Sequence, residues 1–438
     1  MDFNMFALGM DIGTTNLSSV LMDISSGKVL DEYTIKNDAA IVEGGLERLQ
    51  DVERIFELVE HMRTRLSNSE INCIGLTGQM HGMLYTDCQG KAVSPLYTWQ
   101  DRRGDYMRDD GQTYTQYLSS KVKKKLATGY GAVTHYYNIE NGLVPQEAKW
   151  VTTIQDYIGM KLTKQKLPQM HISNSESFGA PEWEVLSPMI RTTEKSVCIG
   201  TTSDDIPVAI AIGDNQASFI GSVNNSANSL LINMGTGGQI SILANGTTIE
   251  CPDIDKRYYI DGDSLLVGCS LCGGHAYSLL ETFYREIIAL AGVKCDSLYE
   301  KMNALAEQVL SDELIINTQF RGSRRDPEMR GTISNISDRN LTPAHLVQAV
   351  LKSMVNELLE LYYTMCESIE KKPTILVGAG NGIRKNPALQ KMFEDALGMQ
   401  MNIPLHYEEA AYGAALFSTY ACGINSSLTE AQKVIRYH

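Results

Sequence analysis

The sequence lacks an excess of basic residues: 38 Lys and Arg stand against 52 Asp and Glu, a formal charge of -14 at pH 7. Nucleic acid and anionic membrane surfaces both demand a basic face, so neither is expected as a partner, and small polar molecules are. No apolar run approaches the roughly 20 residues of a spanning helix, and the first residues do not follow the basic-then-apolar order of a secretory leader. The expected location is the cytoplasm. Cysteine provides no framework either, because the nine residues are scattered and odd in number, as reduced thiols would be. Cys269, Cys272 and His275 have a spacing that could ligate zinc. No second C-x-x-C completes a tetrahedral set, so core thiols beside Gly273 and Gly274 are expected instead.

What is present is an alternation of apolar strands and amphipathic helices over 438 residues, which predicts an α/β protein of two domains. The one polar shift near the middle, SVNNSANSL at 222–230, places the boundary so that the domains span 1–223 and 224–438. Each half opens in the same way. ALGMDIGTTNLSSVLMD (7–23) reads as strand, Gly13-Thr14-Thr15 turn and strand with Asp11 at the mouth, and SLLINMGTGGQISIL (229–243) repeats this around Gly235, Thr236 and Gly237. Turns of Gly and Thr offer N–H groups and hydroxyls to an anion, and a neighbouring acid can hold a hydrated metal. Ordinary β-turns are the plain alternative. The repetition points to an internal duplication with two anion-binding turns.

Three further stretches carry chemistry. IGLTGQMHG (74–82) is a strand that delivers Gln79, Met80 and His81, donors and acceptors suited to sugar hydroxyls, although a structural histidine would look the same. In SPLYTWQDRR (94–103), Trp99 offers a flat apolar face beside the polar Gln100 and Asp101, a mixture that binds carbohydrate. VAIAIGDNQ (208–216) ends an apolar strand on Asp214 and Asn215; Asp214 is read as a general base for an attacking alcohol, or else as a helix N-cap. Towards the C-terminus, Thr342-Pro343 should start a long helix running to about Ile369. The strand 374–380 then leads through Gly378, Gly380 and Asn381 into a helix begun by Asn386-Pro387 and stopped by Gly398. That glycine loop would also suit a dinucleotide fold, but the acid expected about 20 residues on is missing from GMQMNIPLHY, so adenosine at a domain rim fits better.

The ordered set D-I-G-T-T (11–15), G-Q-M-H-G (78–82), W-Q-D-x-R (99–103), G-D-x-Q (213–216), G-T-G (235–237) and G-A-G-N-G (378–382) resembles the FGGY carbohydrate kinases over nearly the whole chain. Within that family ATGYGAVTHYYN (127–138), IQDYIGMKL (154–162) and GAGNGIRKNPALQ (378–390) are similar to the sedoheptulokinases, while G-Q-M-H-G is shared with xylulokinases. The resemblance implies two ribonuclease-H-like, actin-like ATPase domains with a cleft between them, ATP and Mg²⁺ as cofactors, and a homodimer as a permitted assembly. It implies transfer of phosphate to the terminal hydroxyl of a ketose, sedoheptulose first; the alternatives are xylulose or another pentulose, or a non-catalytic sugar- or nucleotide-binding regulator. Residue by residue, Asp11 and Asp214 would serve the metal and Gly13, Thr14 and Thr15 the terminal phosphate. Gln79, Met80, His81, Trp99, Gln100, Asp101, Asp214 and Asn215 would line the sugar pocket, with Asp214 as base. Gly235, Thr236 and Gly237 would form the second phosphate turn, and Gly378, Gly380, Asn381 and Asn386 would receive adenosine. Two departures stand out: the family pattern has Lys or Arg where this chain has Ser18, and an Asp where HISNSESFG (171–179) offers only Asn174.

Overall fold

The computed structural model describes residues 5–42, 44–66, 70–244, 251, 253–308, 311–322, 326 and 328–438. The chain forms two compact units. The first comprises Met1–Asn224, Tyr258–Gly262 and Glu408–Arg436, and the second Asn225–Arg257, Asp263–Tyr407 and Tyr437–His438. The sequence-based division had assigned everything after residue 223 to the second half. The return of Glu408–Arg436 to the first unit corrects it, and the cause is packing. Helix α6 (Glu409–Ala421) is buried along Ala411–Thr419 and lies against strands Phe6–Ile12 and Ile71–Gly78 and helix Asp214–Ser222 of the first unit.

The first unit is built on a seven-stranded sheet. Strands β1 (Phe6–Ile12), β2 (Asn16–Asp23) and β3 (Val29–Lys36) run antiparallel. Next to β1 lies β4 (Ile71–Gly78), parallel to it. β5 (Cys198–Thr201) is the outer strand, antiparallel to β6 (Pro207–Ala209), and β6 and the short β7 (Ile212–Gly213) both run parallel to β4. One face of β1 sends Leu8, Met10 and Ile12 into a core shared with α1 (Val52–Leu66), whose buried Ile55, Leu58, Val59 and Met62 recur at helical spacing. The other face carries Gly9 and receives α6. A Cβ on Gly9 would lie 1.9 Å from Ala411 O, and one on Gly75 of β4 would lie 1.9 Å from Ala414 O. Helix α2 (Asp214–Ser222) meets α6 at the same range, since a Cβ on Gly413 would lie 1.8 Å from Ala217 O. Only hydrogen fits in those gaps.

The second unit repeats the arrangement. Its six-stranded sheet has β8 (Ser229–Met234) and β9 (Gly238–Ala244) as an antiparallel hairpin, followed outward by β11 (Ser264–Ser270) and β10 (Ile254–Tyr258). On the other side β12 (Ile375–Ala379) and β13 (Met401–Asn402) are parallel additions. Three antiparallel strands followed by parallel ones is the order of the first sheet, so the duplication read from two hairpins extends to the topology. Helix α3 (Gly273–Leu290) follows β11. Helix α4 (Pro343–Cys366) starts where the sequence placed it, with Thr342 Oγ1 accepting from His345 N, and packs Val350, Met354, Leu358 and Met365 into the core. Helix α5 (Pro387–Leu397) is capped by Asn386 and ends at Gly398 in the left-handed conformation.

All three tryptophans, Trp99, Trp150 and Trp183, lie in the first unit, so tryptophan fluorescence follows its unfolding. Gly9→Ala is expected to destabilise this unit by about 3 kcal/mol or more in urea, because the methyl group displaces α6. Gly44→Ala, where a Cβ meets nothing within 4 Å, is the control and should change little.

Candidate active site

The expected residues of the first unit meet at the carboxyl ends of neighbouring parallel strands. In the β1–β4 register Asp11 stands beside Thr77 and Ile12 beside Gly78, and in the β7–β4 register Ile212 stands beside Thr77 and Gly213 beside Gly78. Asp11 and Asp214 therefore flank the end of β4, and Gln79 follows between them. Gly213, not Asp214, is the N-cap of α2; its side chain being absent, the cap makes no side-chain bond, and Asp214 is the first helical residue. Its Oδ1 accepts from Asn215 Nδ2 at 2.7 Å, and the same amide lies 3.5 Å from Met80 Sδ.

Asp11 is the electrostatic centre. Burial, then the nearby charge of Asp214, then that of Glu408, raise its pKa to about 7. Its Oδ1 is buried without a hydrogen-bond partner among the described residues. Glu408 was not anticipated. It is the N-cap residue of α6, brought to Asp11 by the packing of that helix on β1; the only trace in the sequence is the acidic pair ahead of the small-residue run AAYGAA.

The Gly13-Thr14-Thr15 turn is tied to Gln79 and Trp99. Thr14 Oγ1 donates to Gln79 Oε1 at 3.0 Å and accepts from Trp99 Nε1 at 2.9 Å. Gln50, another residue that the sequence did not reveal, donates to Thr14 O at 3.0 Å and accepts from Gln79 Nε2 at 3.0 Å. Trp99 remains 45% exposed while held at one end. His81 sits in the left-handed region at φ 72°, where a non-glycine residue is strained; its ring stacks on Tyr130 at 4.7 Å, and Nδ1 lies 2.7 Å from Ser177 O. Since a carbonyl only accepts, Nδ1 carries the proton.

Asp101 departs from its expected place in the sugar pocket. It is fully buried. Its Oδ1 accepts from Arg103 Nε at 2.7 Å and its Oδ2 from Arg103 Nη2 at 3.1 Å and Arg48 N at 3.0 Å. It thus anchors the turn that presents Trp99 and Gln100. The missing acid at Asn174 is also accounted for: Asn174 Nδ2 donates to Asp156 Oδ2 at 2.8 Å and to Ala211 O at 3.1 Å. Asp156 is itself buried with its pKa raised by desolvation, so a second carboxylate at 174 would face an acid already denied water.

In the second unit the Gly235-Thr236-Gly237 turn is closed on itself by Gly235 N to Gly237 O at 3.0 Å and held by the first turn of α3. Gly274 N donates to Gly235 O at 3.2 Å and His275 N to Thr236 O at 2.9 Å. Arg321 Nη2, again not anticipated, lies 3.0 Å from His275 Nε2. The glycine loop packs on the adjoining strand end: a Cβ on Gly380, at φ 80°, would lie 2.6 Å from Met234 O. The second turn and the Gly378–Asn381 loop are therefore neighbours. Asn386, expected at adenosine, is buried, and its Oδ1 accepts from Leu389 N at 3.0 Å as the cap of α5. Its acceptor is already engaged. Among the described residues no group of three His, Cys, Asp or Glu is arranged to hold a metal, and Cys272 is a buried N-cap residue of α3.

The raised pKa of Asp11 fixes a pH dependence. An unfolded Asp ionises near 3.8 while the folded one keeps its proton to about 7, so this group costs stability increasingly as pH rises through that window. In metal-free protein, Asp11→Asn should therefore be more stable than wild type at pH 8 by about 2–4 kcal/mol, with the difference vanishing near pH 4. Urea titrations in the presence of a chelator at the two pH values provide the comparison.

Comparison with known proteins identifies the family and the fold. Residues 6–179 match the N-terminal domain of the FGGY family of carbohydrate kinases, and residues 230–422 match its C-terminal domain. Sedoheptulokinase of Mus musculus is 26% identical, over 93% of this chain and 96% of that protein. Among solved structures, xylulose kinase from Rhodospirillum rubrum superposes with a TM-score of 0.84 at 18% identity, covering 99% of this chain and 93% of that one. Plasmodium falciparum glycerol kinase with ADP gives 0.78 at 16% identity over 99% and 93%. Among the described residues no helix is long and apolar enough to cross a membrane. With a family model spanning most of each half, the chain belongs to the FGGY family of carbohydrate kinases.

Proposed function

We propose that this carbohydrate kinase transfers the terminal phosphate of ATP to the terminal hydroxyl of a ketose in the cytoplasm, with sedoheptulose the preferred acceptor. Likeness to a sedoheptulokinase over nearly the full length supports the seven-carbon sugar. A relative named xylulose kinase, from Staphylococcus xylosus at 20% identity, keeps a pentulose as the second reading. The observation that carries the reaction is the pairing of Asp11 with Asp214 across the end of β4.

Asp214 is read as the base. It is the first residue of α2, and Asn215 steadies one oxygen. The acceptor hydroxyl gives its proton to this carboxylate as its oxygen bonds to the terminal phosphorus, and the bond from phosphorus to the bridging oxygen breaks to release ADP. Gln79, Met80, His81, Trp99, Gln100 and Asn215 are the residues assigned to holding the sugar, with the Trp99 ring set by its bond to Thr14. Gly13, Thr14 and Thr15 are assigned to the terminal phosphate, and Gly235, Thr236 and Gly237 to the second phosphate turn. Gly378, Gly380 and Asn381 are assigned to adenosine.

Mg²⁺ suits the chemistry of Asp11, whose buried carboxylate oxygen has no hydrogen-bond partner among the described residues and is a hard oxygen donor open to a cation. Asp11 and Asp214 would hold it, and bound with ATP it would neutralise charge on the phosphates.

A coupled ADP-release assay with ketoses of five to seven carbons tests the proposal, sedoheptulose being expected to give the highest kcat/KM. Asp214→Asn should lower kcat by about 10²–10⁴ with little change in the KM for ketose. Silence of the wild-type protein with every ketose, or an undiminished Asp214→Asn rate, would refute it.

A further inference from the structure

Ser18 stands directly across the β1–β2 ladder from Asp11, where the family pattern has a basic side chain. Its hydroxyl is buried and lies 2.9 Å from Thr34 Oγ1, the residue opposite it on β3. Two residues beyond Thr34 on that strand, opposite Asn16, is Lys36. Because side chains alternate along strands and paired residues share a face, Asp11, Ser18, Thr34 and Lys36 all belong to one face of the sheet.

Lys36 lines a cavity of about 130 Å³ together with Thr14, Thr15, Asn37, Arg48 and Gln50, and among the described residues no Asp or Glu lines it. In a chain of net charge -14 that is an unusual composition. Most of the other polar groups are already committed. Asn37 Nδ2 donates to Gly13 O at 3.0 Å, and Gln50 Nε2 is bonded to Thr14 O. The Arg48 guanidinium donates to the carbonyls of Gly44, Gly45 and Glu47. These bonds occupy the carbonyls of the turn. The Lys36 ammonium, by contrast, makes no hydrogen bond or ion pair among the described residues, and its acidic neighbour Asp38 is held by Arg54 Nε and Nη2, each at 2.9 Å.

We propose that this cavity is a phosphoryl subsite whose cation is Lys36, replacing from β3 the charge that Ser18 does not supply from β2. The inference rests on the kinase reading, because the cavity shares Thr14 and Thr15 with the turn assigned to the terminal phosphate. The group bound is a tetrahedral oxyanion, which either the nucleotide or the phosphorylated sugar could bring.

Isothermal titration calorimetry with inorganic phosphate, ATP and a sugar phosphate, each without free ketose, tests this on wild type, Lys36→Ala, Lys36→Arg and the double variant Ser18→Lys/Lys36→Ala. Loss of one charge-assisted contact should weaken phosphate binding about ten- to a hundredfold in Lys36→Ala. Lys36→Arg should stay close to wild type, and Ser18→Lys should recover most of the loss. Weakening confined to ATP assigns the subsite to the donor, and weakening confined to the sugar phosphate assigns it to the product. Wild-type affinity of Lys36→Ala for all three overturns the proposal, even if the enzyme turns over. Conversely, Lys36-dependent phosphate binding in a protein that releases no ADP with any ketose would keep the subsite and refute the kinase reading.

Discussion

The contact on which the first unit depends is the approach of α6 to β1, β4 and α2 at glycine. Ordinary helix–sheet packing separates backbones by the thickness of side chains. Here Gly9, Gly75 and Gly413 remove that spacing, and main-chain atoms meet at distances that leave no space for a methyl group. The reward is positional. With β1 and α6 pressed together, the N-terminal end of the helix is fixed beside the carboxyl end of the strand, and Glu408 joins Asp11 and Asp214 in one acidic group. The same segment is held further along, where Gln432 Nε2 donates to Ile220 O at 3.2 Å and Val223 O at 2.9 Å.

An acidic group of that kind is unfavourable by itself. Burial and two like charges oppose ionisation of Asp11, and no basic side chain on β2 relieves it. The surroundings manage the remaining polar groups closely. Asn174 in place of an acid donates to Asp156 Oδ2 and a strand carbonyl, and Arg103 neutralises the buried Asp101. Each substitution of charge by amide, or pairing of acid with guanidinium, keeps further unpaired charge away from Asp11. A group destabilised in the empty protein has the most to gain when a cation arrives.

Much of this was legible in the chain. Hairpins announce themselves through apolar alternation around Gly-Thr turns, and a buried strand that ends on Asp214 has few structural uses for the acid. Thr342-Pro343 marked its helix because cap chemistry is local. For Asp101 and Asn386 a motif gives residue type and neighbourhood but not which atoms are already hydrogen-bonded; the first accepts from Arg48 and Arg103, the second caps a helix. Glu408 and Gln50 were invisible because their roles arise from register and tertiary approach over tens to hundreds of positions. The return of 408–436 to the first unit has the same origin, since the small residues of α6 advertise close packing without saying against what.

That return imposes an order on synthesis. The ribosome must deliver Asn225–Arg257 and Asp263–Tyr407, essentially the whole second unit, before it delivers the helix that completes the first. Until then the nascent polypeptide holds β1 and β4 with their glycine-bearing face uncovered and Asp11 without Glu408. The acidic group is consequently assembled only after Asn225–Arg257 and Asp263–Tyr407 have been made, although Asp11 precedes them all.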